Sequence, residues 1–213
     1  MEIHINQHRM LLLPEGAIYW SNTQTLLIAD AHLGKITHFR KNGFAVPPKI
    51  QFSFYKKMDS LLTNNSVQRI FFLGDLFHSD RNAEWDRFVE WNQQCLIPTY
   101  LVKGNHDILS EKLLVESGLK VVNEWQEEGL LFTHHPEKQT RFFNLCGHLH
   151  PGVKIQGKGR QQLKVPCFFH RPNQMILPAF GDFTGLFILQ PKAKDRVYAL
   201  AEKSVLPVSL RNK

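Results

Sequence analysis

The sequence predicts an α/β fold in which two stacked β-sheets are flanked by helices. Short apolar runs that each end in a polar residue recur as far as residue 135, and amphipathic stretches with apolar residues at helical spacing separate them. After residue 142 the amphipathic stretches stop, and strand-like runs follow one another directly. A chain of 213 residues, 43% of them apolar, can bury such a core within a single domain over residues 1–213.

The first part of the chain alternates strands with helices. Buried strands are predicted at the runs QTLLIAD, QRIFFLGD, TYLVKGN and GLLFTHH. Helices are predicted over PPKIQFSFYKKMDSLLTNN, AEWDRFVEWNQQC and LSEKLLVESGL. The first helix opens with a Pro-Pro pair, and Ser110 is the candidate N-cap of the third. This alternation favours βαβ units and a mostly parallel first sheet.

The second part contains strand-like runs without intervening helices. These runs are FFNLCGHLH, QQLKVPCFFH, NQMILPAF, GLFILQP and RVYALAE. They predict a second, more antiparallel sheet that packs on the first. A separate C-terminal domain is the alternative, but His148 and His150 belong with the earlier strand ends, which favours one body.

The charge of the chain is +7 and is unevenly distributed. From Lys154 onward there are eleven Lys or Arg residues against three acidic ones. This surplus favours an anionic partner such as nucleic acid, although a solvated basic surface explains it equally well. No apolar run is long enough to span a membrane, and the N-terminal run is too short for a signal peptide. We therefore predict a cytoplasmic protein without a membrane partner.

Polar residues close the predicted strands, where ligand sites of α/β sheets collect. Residues two apart on an extended segment share a face, so Asp30 with His32, and His148 with His150, can point into one pocket. The full set of candidate metal ligands is Asp30, His32, Asp75, Asn105, His134, His148 and His150. Oxygen and nitrogen donors without thiolates suit manganese, iron or zinc, and seven donors with one bridging carboxylate predict two divalent ions.

The ordered motifs Asp-x-His, Gly-Asp, Gly-Asn-His-Asp, His and Gly-His-x-His between residues 30 and 150 resemble those of the calcineurin-like metallophosphoesterase superfamily. The resemblance implies a four-layer α/β/β/α sandwich, two mixed sheets flanked by helices, with a two-metal centre. One metal would be held by Asp30, His32 and His150. The other would be held by Asn105, His134 and His148, with Asp75 as the bridge.

The resemblance also implies the chemistry of the site. A hydroxide that bridges the two metals would attack phosphorus. His106 would protonate the leaving group or stabilise its charge, and Asp107 would orient His106. Lys35, Arg40 and Lys41 follow the first ligand pair and could clamp a phosphate, although a solvated loop explains them equally well.

Four further polar residues each have two interpretations. In the stretch THHP we assign the ligand role to His134, which leaves His135 as a supporting or solvent-facing residue. His78 and Asp80 follow the bridging carboxylate closely and could contact the ligands, or could belong to an ordinary loop. Asp182 lies in PAFGDFTG, which reads as a turn or as a loop near the substrate.

The local sequences ADAHLGK, GDLFHS and GHLHPG resemble a bacterial subfamily, the ligase-associated DNA-damage-response endonucleases/phosphodiesterases. This implies manganese-dependent cleavage of phosphodiester bonds in DNA during repair, and association with a DNA ligase or helicase. One alternative is a small-molecule phosphoesterase acting on a nucleotide, a cyclic nucleotide or a lipid-linked pyrophosphate. Another is a non-catalytic protein-binding scaffold, but such a scaffold should have lost ligands, and all seven are present.

Overall fold

The computed structural model describes residues 1–41, 43, 52–78, 81–138, 140–156 and 161–209. Two mixed β-sheets flanked by helices form an α/β fold, as the sequence predicts. Within the described residues, the first sheet has seven strands in sequence order. They are β1 Glu2–Ile5, β2 His8–Leu12, β3 Ile18–Trp20, β4 Thr25–Ile28, β5 Arg69–Leu73, β6 Thr99–Val102 and β7 Leu119–Val122.

The parallel half of the first sheet confirms three predicted strands. Strands β4, β5, β6 and β7 pair in parallel, with buried, mainly apolar side chains on β4 and β5. The sequence did not predict β7, whose first residue lies in the third predicted helix, or the three antiparallel strands β1 to β3 at the other edge of this sheet. The first sheet is therefore mixed.

The described helices all lie between residues 35 and 116 and connect the parallel strands. They are α1 Lys35–Lys41, α2 Ser53–Asn64, α3 Ala83–Cys95 and α4 Glu111–Glu116. Helix α3 coincides with its predicted stretch, and the Asn82 side chain accepts the amides of Glu84 and Trp85 at its start. Ser110 caps α4 as predicted. Pro47 and Pro48, predicted to open α2, lie outside the described residues.

The second sheet contains nine strands in the described part of the chain and begins earlier than the sequence predicts. They are β8 Trp125–Glu127, β9 Leu130–Phe132, β10 Phe143–Cys146, β11 Pro151–Gln156, β12 Gln162–Arg171, β13 Gln174–Ile176, β14 Phe187–Ile188, β15 Arg196–Ala201 and β16 Ser204–Pro207. Strand β9 pairs with β8 and β10 and therefore belongs to the second sheet. The prediction that it lies in the first sheet is wrong. Only residues 123–124 separate β7 from β8, which leaves no room for a crossover helix.

Three apolar clusters hold the layers together. One lies between α2–α4 and the first sheet, and includes Phe72 and Phe88. The second fills the space between the sheets, around Phe71 and Phe132. The third lies on the outer face of the second sheet, where, within the described residues, it packs against loop side chains such as Leu189. No helix of the described residues is long and apolar enough to cross a membrane.

The carboxyl ends of strands from both sheets meet along one edge of the molecule. The amides of Asp30 and His32 donate to the carbonyls of Gly74 and Asp75 at 3.2 and 2.9 Å. In the second sheet, the Gly147 amide donates to the His134 carbonyl at 3.1 Å. These bonds join the segments after β4 and β5 and those after β9 and β10, and the His148 amide, which donates to Asp30 Oδ2 at 2.8 Å, links the two pairs.

Candidate metal centre

Five of the predicted ligands have a left-handed backbone conformation. The φ angles are 53° at Asp30, 48° at His32, 50° at Asp75, 70° at His148 and 46° at His150. Aspartate and histidine adopt this region more readily than most residues, but it still costs free energy that the surrounding structure must offset. The backbone therefore turns sharply at these residues, which lie just after β4, β5 and β10 or just before β11.

The first group of candidate ligands is Asp30, His32 and His150, whose ligand atoms all lie within 4.8 Å of one another. The Nε2 atoms of His32 and His150 are 3.2 Å apart, and His150 Nε2 is 3.6 Å from Asp30 Oδ1. Ligands about 2.1 Å from one ion are separated by about 3.0 to 3.4 Å when their angle is about 90 to 109°. The group therefore has the spacing of a coordination shell.

One atom of this group also indicates an ion. Asp30 Oδ1 is buried and has no hydrogen-bond partner among the described residues, whereas Oδ2 accepts the His148 amide at 2.8 Å. A buried carboxylate oxygen without a partner is costly unless a cation satisfies it. The residues present therefore fit a divalent metal.

The second group is formed around His134 and His148. His134 Nε2 is 3.2 Å from His148 Nδ1 and 3.4 Å from Asp75 Oδ1. The other oxygen of Asp75, Oδ2, faces the first group and is 3.9 Å from His32 Nε2. The two oxygens of one carboxylate thus face the two groups, which is the arrangement expected of a bridge.

The remaining predicted ligand, Asn105, lies in the turn after β6 and is exposed. The next residue, His106, donates its amide to Asp75 Oδ1 at 2.8 Å, so the backbone of this turn borders the second group. His135 is also exposed, and its ring centroid is 4.2 Å from that of His148. One nitrogen each of His134, His135 and His148 lie within 4.8 Å of one another, so His135 is a further candidate donor.

Three glycines that directly precede candidate ligands make room for candidate ligands of other segments. A Cβ atom at Gly74, Gly104 or Gly147 would approach a neighbouring side chain closer than 3.0 Å. The residues that would be met are, in the same order, His134, Asp75 and Asp30. No larger residue fits at these positions without moving a candidate ligand.

Hydrogen bonds fix which nitrogen of two imidazoles faces the centre. His134 Nδ1 donates to the Leu73 carbonyl at 3.2 Å, and His150 Nδ1 donates to the Thr184 carbonyl at 3.0 Å. A carbonyl can only accept, so in the neutral form of each ring Nε2 carries the lone pair. Both Nε2 atoms are thereby prepared to bind a metal ion.

Burial and neighbouring charges decide how these imidazoles titrate in the metal-free protein. Burial, together with His150 and Lys35, lowers the pKa of His32 to about 2. Burial, and then the adjacent imidazoles, also lowers the pKa of His148. Burial opposes protonation of His150 too, but the Asp30 carboxylate outweighs it and raises the pKa of His150. His32 is therefore held in the neutral form that binds metals.

Comparison with known proteins identifies the type of molecule that carries this centre. A sequence model described as calcineurin-like phosphoesterase matches residues 23–185, most of the chain. The chain belongs to the calcineurin-like phosphoesterase family. It is thus a metal-dependent phosphoesterase, and divalent metals are the cofactors of its family.

A solved structure supports the relationship over the full length of this phosphoesterase. The chain is similar to a nuclease, MPE, from Pseudomonas putida, with 26% sequence identity and a TM-score of 0.81. The match covers 98% of this chain and 99% of that one. No curated protein sequence matches the chain significantly.

The histidine predicted to assist catalysis lies beside the first group of the phosphoesterase. His106 is exposed, and its ring centroid is 5.3 Å from that of His32. It stacks on His78, with 5.1 Å between the ring centroids and 28° between the planes. The sequence allows His78 either a contact with the ligands or a place in an ordinary loop. In the structure its ring packs against the ring of His106.

Asp107 is buried, and its carboxylate bonds to the backbone. Its oxygens accept the amides of Phe77 at 3.0 Å and Gly104 at 2.9 Å. Desolvation raises the pKa of Asp107, although both amide bonds favour the charged form. These contacts tie the turn after β6 to the segment after β5, so an effect of Asp107 on His106 would pass through the backbone.

Of the three predicted phosphate-binding residues, the structure describes the side chain of Lys35. Burial lowers the pKa of Lys35, whereas the charges of Asp75 and Asp30 oppose this shift. Its ammonium group is thus within electrostatic reach of both carboxylates of the centre. The side chains of Arg40 and Lys41, and the whole of Asp80, lie outside the described part of the chain.

A loop over residues 178–185 makes hydrogen bonds with Asp30 and His150 of the first group. The sequence does not predict these contacts. Its Gly181 amide donates to the Asp30 carbonyl at 3.1 Å, and its Thr184 carbonyl accepts from His150. From α2, the Lys57 ammonium donates to the Phe180 carbonyl at 2.7 Å and to Asp182 at 3.2 Å. The Gly-Asp pair in PAFGDFTG was the available signal for this loop.

Proposed function

We propose that this phosphoesterase is a nuclease that hydrolyses phosphodiester bonds in DNA with two divalent ions, manganese being the metal we favour. The observation that carries the proposal is the carboxylate of Asp75, whose two oxygens face two separate groups of metal-binding side chains. A pair of adjacent ions suits phosphodiester hydrolysis, because both the attacking and the leaving oxygen need stabilisation.

The spacing of the Asp and His side chains supports the proposed ligand sets, and Asn105 is added because the family resemblance implies it. Asp30, His32 and His150 would hold one ion, and Asn105, His134 and His148 the other, with Asp75 shared. Oxygen and imidazole donors without thiolate suit manganese, and also iron or zinc. When bound, such ions supply an activated water and neutralise charge on the phosphate.

The side chains around the ions would complete the chemistry. His106, exposed beside the first group, would donate a proton to the leaving oxygen, while its stack on His78 limits the orientations of its ring. Asp107 would hold the turn that carries His106. Lys35 would add positive charge where a phosphate must lie.

Two observations favour DNA over a small substrate. The P. putida protein of similar fold and length is named a nuclease. The chain from Lys154 onward carries eleven basic and three acidic residues, which suits a polyanion. The resemblance to ligase-associated repair nucleases extends the proposal to a role in DNA repair, with a DNA ligase or helicase as partner, in the cytoplasm.

One assay panel tests the proposal. The purified protein with Mn²⁺ would be offered bis-p-nitrophenyl phosphate, p-nitrophenyl phosphate, cyclic nucleotides, and single- and double-stranded DNA. We expect cleavage of the diester and of DNA, and a loss of more than roughly 100-fold in Asp75→Asn, since loss of even a supporting residue costs about 10- to 100-fold. Asp195→Asn, an equally conservative change in a turn before β15, is the control.

The outcomes separate the parts of the proposal. A wild-type protein without diesterase activity would exclude the nuclease. Full activity in Asp75→Asn would exclude the shared ligand. Hydrolysis of cyclic nucleotides or monoesters alone would favour a small-molecule phosphoesterase.

A further inference from the structure

Two lysines face each other on the hairpin that begins directly after His150. The hairpin consists of β11 and the first half of β12, and Lys154 lies directly opposite Lys164 in the antiparallel register. Both side chains are exposed. Within the described residues neither has an ion-pair partner. Directly opposite residues have Cβ atoms about 4.5 to 5.5 Å apart, so the two like charges repel each other and destabilise the hairpin.

The side-chain alternation of β12 shows which face of the second sheet this pair occupies. Val153 and Val165 pack against the cluster on the outer face. Phe168 lies in the cluster between the two sheets. Because side chains alternate along a strand, Lys164 is on the face of Phe168, and its partner Lys154 is on that face too. The lysine pair therefore extends the inner face of the second sheet.

The pair is also close to the metal centre along the chain. Lys154 follows His150 by four residues, which corresponds to about 13 Å in an extended strand. Stacked nucleotides of one strand rise about 3.4 Å each, so this distance spans about four nucleotides. A strand with one phosphate at the centre and its flank along the hairpin would pass the pair within that span.

We propose that Lys154 and Lys164 bind the phosphate backbone of the nucleic-acid strand, a few nucleotides from the phosphate at the metal centre. The repulsion between the lysines would be relieved by the phosphates of the bound strand, to which lysine binds as a point charge. The inference rests on the proposed nuclease function and adds a surface that holds the substrate outside the reacting atoms.

The test compares two double variants that lose the same charge. Lys154→Gln/Lys164→Gln removes the pair. The control, Lys192→Gln/Lys194→Gln, removes two exposed lysines just before β15. They lie away from the hairpin, because β15 begins at Arg196, which pairs with His170 at the other end of β12. Binding of a fluorescent single-stranded oligonucleotide is measured by anisotropy in EDTA at several salt concentrations. We expect the first variant to bind roughly tenfold more weakly at about 0.1 M salt, with the slope of log K against log salt reduced by about 1.4.

Two readouts separate this proposal from the function on which it rests. Hydrolysis of bis-p-nitrophenyl phosphate should be unchanged in Lys154→Gln/Lys164→Gln, because that small diester does not reach the hairpin. Loss of this activity, or an affinity and salt slope equal to those of the control variant, would overturn the proposal. If the wild type cleaves no diester at all, the nuclease fails, and the anisotropy measurement still decides whether the lysine pair binds the strand.

Discussion

The left-handed backbone at Asp30, His32, Asp75, His148 and His150 restricts which amino acids these positions accept. Aspartate and histidine supply metal-binding atoms and are also among the few residues other than glycine and asparagine that tolerate this conformation. A β-branched or large apolar residue would lose both properties. The chemistry of the centre and the sharp ends of its strands therefore depend on the same residues.

A glycine beside the centre offers a test at the level of one methyl group. Gly74 and Gly129 have nearly the same φ, 81° and 80°, but a Cβ at Gly74 would collide with the His134 ring, whereas nothing lies within 4 Å at Gly129. Both alanine variants should lose about 1 to 2 kcal/mol of stability through backbone strain, and Gly74→Ala should lose more because its Cβ collides with the His134 ring. Only Gly74→Ala should also bind Mn²⁺ about 10- to 100-fold more weakly.

Urea unfolding and Mn²⁺ titration would measure the two effects separately. If Gly74→Ala bound Mn²⁺ as tightly as Gly129→Ala, the close approach of His134 to Gly74 would have no part in metal binding.

At the scale of elements, the loop over residues 178–185 connects α2 to the first group of ligands. Lys57→Met removes the donor to the Phe180 carbonyl and the partner of Asp182, and so loosens the loop whose Thr184 carbonyl orients His150. We expect one of two Mn²⁺ ions to bind roughly tenfold more weakly, with little effect on the other.

The neighbouring lysine provides the control for this loop. Lys56→Met changes an exposed residue of the same helix and should leave both affinities unchanged. Isothermal titration with Mn²⁺ resolves the two ions. If Lys57→Met bound both Mn²⁺ ions with the affinities of the wild type, the loop would have no effect on metal binding through His150.

The sequence predicts the elements whose signals are local and misses those that depend on pairing. Strands such as β5 are buried apolar runs, and α3 carries an amphipathic pattern with a cap at Asn82, so both are visible in one dimension. The sheet to which β9 belongs depends on its partners, β8 and β10. Strands β1 to β3 are three to five residues long and give weak signals.

The same distinction holds for the candidate centre. Its polar residues could be predicted because each follows a strand and carries a distinctive side chain. Some contributions could not be predicted, because they come from backbone atoms: the Thr184 carbonyl and the amides of Phe77 and Gly104. Every residue type has a backbone carbonyl, and every type except proline has an amide N–H. The ligand assignments themselves stay predictions until a metal is observed.

At the scale of the whole molecule, burial of the centre makes the stability of the metal-free protein depend on pH. The folded pKa of His32 is about 2, below the unfolded value of 6.5, so folding favours its neutral form. The contribution of neutral His32 to the free energy of unfolding is fully present above pH 6.5. It is lost as the pH falls toward the folded pKa, by about 1.4 kcal/mol per pH unit. The raised pKa of His150 acts in the opposite direction.

Urea unfolding of metal-free protein between about pH 7 and pH 5 measures this dependence. We expect the free energy of unfolding to decrease as the pH falls. Its slope against pH corresponds to the number of protons taken up on unfolding, and this number should be smaller by up to about one in His32→Gln, which cannot titrate. His4→Gln, at an exposed position of β1, is the control. An unchanged slope in His32→Gln would show that His32 does not carry the effect.

The centre draws on residues far apart in the chain, and this has a consequence for biosynthesis. The contact between His32 and His150 joins residues 118 positions apart, and the two belong to segments that follow strands of different sheets. The ribosome synthesises the strands of the first sheet, which ends at Val122, before His148 and His150. A growing chain therefore lacks at least one member of each group of candidate ligands, and we expect hydrolytic activity to arise only once the second sheet has docked.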